Sequence, residues 1–270
     1  MTDNRAPARG KGQLALVTGA SGGIGLELAR LLAADGYRLA LVARDAAKLD
    51  AVAAELGAPA GQLPLTIAQD LAAPDGVDRV LAGLDGQDVD VLVNNAGYAV
   101  YGPFAETAPE AELAMLQVNV MALTALTKRL LPGMIERKQG RILNLASTAA
   151  FLPGPLMTCY YASKAYVLSF TEGLAEELRE GGSGVTVTAL CPGPTETGFQ
   201  QRAAMEESRL FKVTRLQSAA DVAKAGYAGM LAGKTVIVPS WSDRVTTIAP
   251  RFVPRALVPR LVRRIQEPSR

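Results

Sequence analysis

Short apolar runs recur along this chain, separated by stretches in which apolar positions repeat with helical spacing. The runs are Leu14–Thr18, Leu39–Ala43, Leu63–Ile67, Val89–Val93, Arg141–Ala146, Val185–Leu190 and Thr235–Val238. They are too apolar and too short for exposed alternating strands, so they predict strands buried on both faces. The intervening segments Ile24–Asp35, Ala46–Leu56, Val77–Leu84, Glu110–Arg137, Tyr160–Glu180 and Ala219–Ala232 predict helices. Strand–helix alternation requires right-handed crossovers, which gives an α/β fold: a doubly wound parallel sheet of about seven strands with helices on both faces. No linker-like composition divides the chain, and no internal repeat is visible. Residues 1–12 read as a loose leader because Arg, Pro and Gly dominate there.

Composition narrows the chemistry. With 49% apolar residues in 270, a sizeable core is expected without disulfides or metals. Cys159 and Cys191 form no CxxC pair, so both read as small core residues and no metal site is expected. The chain has no histidine, which excludes Ser-His-Asp hydrolysis and His-based metal catalysis. Any acid or base must be Tyr, Lys, Asp, Glu or Cys. Met1–Gln13 is polar, and no apolar run approaches the length of a membrane span, so a cytoplasmic location is expected. Charge is uneven. Arg251–Arg270 holds six arginines and one glutamate, a net +5, so the other 250 residues carry −3 within a total of +2. That body charge does not suit nucleic acid, and none is expected as a partner.

The first strand ends in Thr18-Gly19-Ala20-Ser21-Gly22-Gly23-Ile24-Gly25, and a helix pattern follows at once. Glycines 19, 23 and 25 permit a tight turn and close backbone approach, and the helix then aims its free N–H groups at a pyrophosphate. A glycine-rich loop can be merely a turn, but its place between first strand and first helix is where a dinucleotide site needs it. At the end of the second strand, Ala43 stands where an acid would hold ribose hydroxyls. Arg44 follows and is suited to fork onto a 2′-phosphate, which favours NADP(H).

The fifth strand runs into Ser147, and Tyr160 follows thirteen residues later with Lys164 at i+4. A helix starting near Tyr160 puts Tyr160 and Lys164 on one face. An ammonium beside a phenol is expected to lower the tyrosine pKa towards working pH and make it an acid/base. Ser147, at a strand's carboxyl edge, would hydrogen-bond a substrate oxygen. Tyr161 lies at i+3 from Lys164, and spacing alone does not separate the two tyrosines.

Taken together, the Gly19–Gly25 loop, Asn94-Asn95-Ala96-Gly97, Asn119, Ser147, Tyr160-Tyr161-Ala162-Ser163-Lys164 and Pro192-Gly193-Pro194-Thr195-Glu196-Thr197 resemble the short-chain dehydrogenase/reductase family, in its single-domain branch, over residues 13 to about 240. The resemblance implies a Rossmann-type catalytic domain at 13–240, with 241–270 as a basic amphipathic extension of it. It implies Asn119, Ser147, Tyr160 and Lys164 as the catalytic set. Tyr160 would be the acid/base, Lys164 would hold the nicotinamide ribose, and Asn119 would hold a relay water behind Lys164. It also implies Gly19, Ser21, Gly23, Ile24 and Gly25 around the cofactor phosphates, Asp70 and Leu71 beside the adenine, and Asn95, Ala96 and Gly97 along the ribose side. Pro192, Gly193, Thr195 and Thr197 would position the carboxamide. The run Val236-Ile237-Val238-Pro239-Ser240-Trp241 departs from the family's usual ending, with some thirty residues beyond it.

Residues expected near Tyr160 are largely apolar, among them Tyr98, Tyr101, Leu152, Met157, Phe199 and Phe211. A lipophilic carbonyl or alcohol is therefore the expected substrate, with Phe199–Lys212 as a lid and a homo-oligomer as the assembly. Two other functions share parts of this pattern: a non-catalytic dinucleotide-binding regulator, and a sugar-nucleotide epimerase or dehydratase. The intact Asn119, Ser147, Tyr160 and Lys164 argue against the first, and the lack of a separate substrate domain argues against the second. In the tail, Leu257, Leu261 and Ile265 recur at helical spacing opposite Arg260, Arg263 and Arg264. This stripe is expected to be hidden on the body or on a neighbouring subunit, with a membrane surface as the less favoured partner.

Overall fold

The computed structural model describes residues 9–60, 62–198 and 216–267. The expected lid, Phe199–Lys212, lies outside the described residues, as do Met1–Ala8 of the leader. Seven parallel strands form one sheet in the order β3-β2-β1-β4-β5-β6-β9. They are β1 (Leu14–Thr18), β2 (Arg38–Ala43), β3 (Leu65–Ala68), β4 (Val91–Asn94), β5 (Gly140–Leu145), β6 (Val185–Leu190) and β9 (Val236–Ile237). The order reverses between β1 and β4, which opens a crevice at their carboxyl ends. A separate two-stranded pair, β7 (Thr195–Glu196) with β8 (Gln217–Ser218), lies beyond β6.

Leu16 and Leu92 from central strands join one apolar layer, and Val17 and Val93 join the other. The strands are therefore covered on both faces, as their unbroken apolar runs require. One layer packs α1 (Gly23–Ala34), α2 (Ala46–Ala60) and α7 (Ala219–Leu231), through Leu28, Leu49 and Met230. The opposite layer packs α3 (Gly76–Gly83), α5 (Leu123–Glu136) and α6 (Thr158–Glu180), through Val80, Leu126 and Leu178. Inside it, the Asn94 amide donates to Thr127 Oγ1 and Asn144 Oδ1, and the Asn144 amide donates to Thr171 Oγ1. This buried chain ties β4, β5, α5 and α6 together just below the crevice, and an unmet partner there would cost about 1–3 kcal/mol.

Two departures from the sequence expectation matter for the site. The segment expected as one helix over Glu110–Arg137 is α4 (Pro109–Leu116), a π-helical turn over Gln117–Ala122, then α5. The π-turn carries Asn119, and such turns often mark functional positions. The second departure is in the tail, which forms α8 (Trp241–Ile248), a 3₁₀ turn and α9 (Val258–Gln266). The face of α9 that packs is Val258, Val262 and Gln266. The stripe expected to be hidden, Leu257, Leu261 and Ile265, stays 44, 48 and 45% exposed. The apolar positions fill both sides of α9, and their helical spacing did not say which side meets the body.

Candidate active site

The glycine loop is a built cradle. Gly19 and Gly23 adopt φ of +66° and +57°, a region that side chains disfavour. A Cβ on Gly25 would sit 2.4 Å from the Gly19 carbonyl oxygen, whereas one on Gly22 would meet nothing within 4 Å. The loop is thus packed on its inner side and open on its outer side. Helix α1 starts there with no side-chain cap and no acid in its first turn, so its free N–H groups and positive dipole end stay available to an anion. Ser21 is half-buried, while Ile24 is buried in the core and anchors the first helical turn. These residues fit the pyrophosphate of a dinucleotide cofactor.

Thr18 and Asn95 brace the cradle from behind. Thr18 Oγ1 accepts the backbone N–H groups of Asn95 and Ala96, and the Asn95 amide donates to the carbonyls of Thr18 and Gly19. The Asn95 side chain therefore supports the loop, and Ala96 and Gly97 provide the half-buried wall. At the end of β2, Arg44 is exposed. Burial pushes the Tyr98 phenol up, Arg44 pulls it down and Asp70 pushes it up, so both charges stand around Tyr98. Asp70 Oδ1 accepts the Ala72 N–H and shapes the turn after β3. Leu71, expected beside the adenine, is 5% exposed and belongs to the core.

The residues expected as the acid/base group gather at the carboxyl end of β5. Tyr160, in the first turn of α6, is buried and hydrogen-bonded with Ser147. Lys164 Nζ lies 5.8 Å from the Tyr160 ring centroid and donates to the Leu145 carbonyl at 2.7 Å. Ser147 has extended backbone and accepts the Ala149 N–H at 3.1 Å. Asn119 clamps the Tyr98 backbone from both sides, accepting its N–H at 3.1 Å and donating to its carbonyl at 2.9 Å. Its amide also donates to Ser163 Oγ, which in turn donates to the Tyr160 carbonyl. Asn119 thereby joins the π-turn, the strand-end loop and the start of α6. A Cβ on Gly97 would meet Asn119 Oδ1 at 2.9 Å and Lys164 Nζ at 3.5 Å, so only glycine fits between them.

Electrostatics depart from the sequence expectation. Burial dominates and pushes the Tyr160 phenol up; the Ser147 hydrogen bond offsets part of this, and Tyr161 adds to it. Lys164 is itself pulled down to about 8 by burial, against a smaller opposing effect of Cys191. Without a ligand, desolvation outweighs the attraction between ammonium and phenolate. Tyr160 is therefore a phenol at neutral pH, in the form that donates a proton.

The two tyrosines that spacing could not separate face different partners. Tyr160 meets Ser147, whereas the Tyr161 hydroxyl accepts the Gln266 amide of α9. Tyr101 donates to the Gln266 carbonyl at 2.7 Å. Around them, Met115, Ala149, Met157, Val258 and Val262 form an apolar cluster that includes Tyr160 itself. The C-terminal helix is thus a wall of the active-site region, and the charged groups among the described buried residues are Glu112, Lys164 and Asp243.

The loop after β6 completes the crevice. Pro192 O accepts the Thr148 N–H, Thr195 Oγ1 donates to Gly193 O, and Thr197 would meet a Cβ on Gly23 at 3.0 Å. Gly193 also shows a residue the sequence reading missed. Its N–H donates to buried Asp243 Oδ2, which accepts the Gln217 amide as well. The local Ser240–Asp243 capping pattern was a signal for the start of α8, and Ser240 Oγ does accept the Asp243 N–H. Nothing local indicated that the carboxylate reaches fifty residues back. Cys191, beside this loop, is fully buried with its thiol pushed up to about 12 by burial.

Comparison with known proteins agrees with this geometry. Residues 13–208 match the family model for short chain dehydrogenase. The very-long-chain 3-oxoacyl-CoA reductase of Anas platyrhynchos is 39% identical over 188 residues, covering 68% of this chain and 60% of that protein. The enzyme of that name from Phaeosphaeria nodorum is 41% identical over 178 residues, covering 64% and 52%. The chain thus spans three fifths or less of these curated relatives. Among solved structures, a short-chain dehydrogenase from Sphingobium yanoikuyae in complex with NADPH superposes with a TM-score of 0.79 at 32% identity, covering 89% of this chain and 91% of that one.

Proposed function

The chain belongs to the short chain dehydrogenase family, and from that premise we propose that it is an NADP(H)-dependent reductase of a lipophilic carbonyl, with 3-oxoacyl thioesters as the leading substrate class. The observation that carries this reading is the placement of Tyr160, hydrogen-bonded to Ser147 and adjacent to Lys164, inside an apolar cluster closed by α9. Residues 13–240 form the catalytic domain and 241–270 its extension. Gly19, Gly23 and Gly25 with the start of α1 hold the pyrophosphate, Arg44 the 2′-phosphate, and Thr195 and Thr197 the carboxamide. When bound, the nicotinamide supplies or accepts a hydride.

The chain's own residues manage the substrate oxygen and its proton. Ser147 and the Tyr160 hydroxyl hold the carbonyl oxygen. Tyr160, kept protonated by burial, donates its proton as negative charge grows on that oxygen. Lys164 Nζ then stands near the phenolate that remains and stabilises it. Asn119 fixes the start of α6 through Ser163. The free cysteines fit a reducing, cytoplasmic setting, and exposed Leu113, Met121 and Tyr166 support a homo-oligomer.

The test is NADPH oxidation with 3-oxoacyl thioesters of increasing chain length, beside a polar ketose. Each methylene buried is worth about 0.8 kcal/mol, so kcat/KM should climb about fourfold per methylene until the apolar region is filled. A preference for the ketose, or no dependence on chain length, would overturn the substrate assignment.

A further inference from the structure

Seven of the thirteen exposed large hydrophobic residues among those described fall between Trp241 and Ile265. Such clustering is not the scatter normal for a soluble surface. On α8 and the turn after it, Trp241, Val245, Ile248 and Phe252 follow one another at helical spacing, and Trp241 and Phe252 are 77 and 84% exposed. On α9, Leu257, Leu261 and Ile265 form the outer stripe, while Val258, Val262 and Gln266 face the body. The inner contacts are therefore already satisfied, and the outer apolar side chains are additional to what the fold needs.

The same stretch is basic. Arg244, Arg251, Arg255, Arg260, Arg263 and Arg264 are all exposed. The only acids between 241 and 267 are Asp243, which is buried, and Glu267, which pairs with Arg263. Arg251, Arg255, Arg260 and Arg264 form no ion pair among the described residues.

We propose that the outer face of Trp241–Ile265 docks the protein on an anionic lipid bilayer surface. An interfacial helix needs apolar side chains to sink among the acyl chains and cations at headgroup level, with tryptophan and arginine favoured at that depth. All of these are present on one short stretch. A second copy of the chain fits less well. A two-fold interface sets a patch against itself, so this one would bring six arginines onto six arginines with no free acid to pair them. The segment also lies outside the residues matched by the family model. Among the described residues, no helix is long and apolar enough to cross a membrane, and the contact lies in the plane of the surface.

The test uses the full chain and reads binding, independent of substrate. Wild type is floated with vesicles of phosphatidylcholine alone and of phosphatidylcholine with phosphatidylglycerol. Flotation is expected with the anionic vesicles and not with the neutral ones. It should fade as salt approaches 1 M, where the screening length falls to ~3 Å. Each arginine near an anionic surface is worth about fivefold in affinity, so Arg251→Gln with Arg255→Gln and Arg260→Gln should weaken binding roughly 100-fold. Trp241→Glu with Phe252→Glu should abolish it. Both variants alter exposed side chains, so their melting temperatures and their NADPH turnover with a water-soluble carbonyl should match wild type. Equal flotation with both vesicle types, or no flotation of a wild type that is folded and active, overturns the proposal. So does a wild-type dimer in light scattering that Trp241→Glu with Phe252→Glu converts to a monomer, since that result assigns the face to a second copy.

Discussion

Replacing Lys164 with methionine separates what the site needs from what the fold needs. Burial lowers the Lys164 pKa from 10.5 to about 8, so holding the ammonium inside costs the folded state about 3 kcal/mol at neutral pH. Between about pH 8 and 10.5 the unfolded chain still carries this proton and the folded chain has released it. The unfolded state binds more protons in that window, so stability rises with pH there. Below pH 8 both states are charged and the full penalty applies. Lys164→Met has no such titration, and its loss of the bond to the Leu145 carbonyl is a constant offset across pH. The stability of wild type relative to Lys164→Met should therefore increase by about 3 kcal/mol from pH 7 to pH 10.5. For a chain of 270 residues that is about 5 °C in melting temperature, read by matched thermal or urea unfolding of the two proteins. Turnover should be lost in the variant at every pH. A stability difference that stays flat or falls with pH refutes the claim that Lys164 is a desolvated cation.

Three further outcomes follow from the same geometry. Tyr160→Phe should lower turnover at least ~100-fold, the scale of a lost general acid, with NADPH fluorescence titrations near wild type. Tyr161→Phe instead removes the hydroxyl that accepts the Gln266 amide, so it should cost about 1 kcal/mol of stability, the scale of one hydrogen bond, and leave most turnover intact; an inactive Tyr161→Phe beside an active Tyr160→Phe would reverse the assignment. Arg44→Ala should raise KM for NADPH roughly 10- to 100-fold more than for NADH, because a charge-assisted pair to the 2′-phosphate is worth about 1.5–3 kcal/mol. Equal changes for both cofactors would remove Arg44 from that role.

The strands that pack on both faces were the most legible elements. β1 and β6 have the bounds their runs predicted, because strands buried on both faces carry no charged or turn-forming residue and the run ends where the strand does. The π-turn at Gln117–Ala122 was invisible, since one extra residue in a helical turn barely disturbs the apolar spacing around it. Tyr160, Lys164 and Ser147 were picked out from local spacing and strand ends, and the fold brings Tyr160 against both of the others. What told Tyr160 from Tyr161 was Gln266, more than a hundred residues away, and the role of Asp243 depended on Gly193 in the same way. The sign of the Tyr160 shift was missed because i, i+4 spacing shows the neighbouring charge but not the depth of burial. The face of the tail that meets the body was not legible because apolar residues lie on both of its sides, and only tertiary contact distinguishes a packed face from an exposed one.

Asp243 links the crevice loop to the outer surface of α8. Its carboxylate holds the Gly193 N–H of the crevice loop, and its backbone belongs to α8, whose other side carries Trp241 and Val245. Such a shared strut makes the two sites thermodynamic partners. Whatever binds the outside of α8 and shifts Asp243 must change the affinity of the crevice for its dinucleotide. By reciprocity the dinucleotide then changes the outer affinity by the same factor. A stiff strut gives a factor near one, and a strut with two positions gives a larger one. Measuring either affinity with the other site filled gives the stiffness of that single carboxylate bridge.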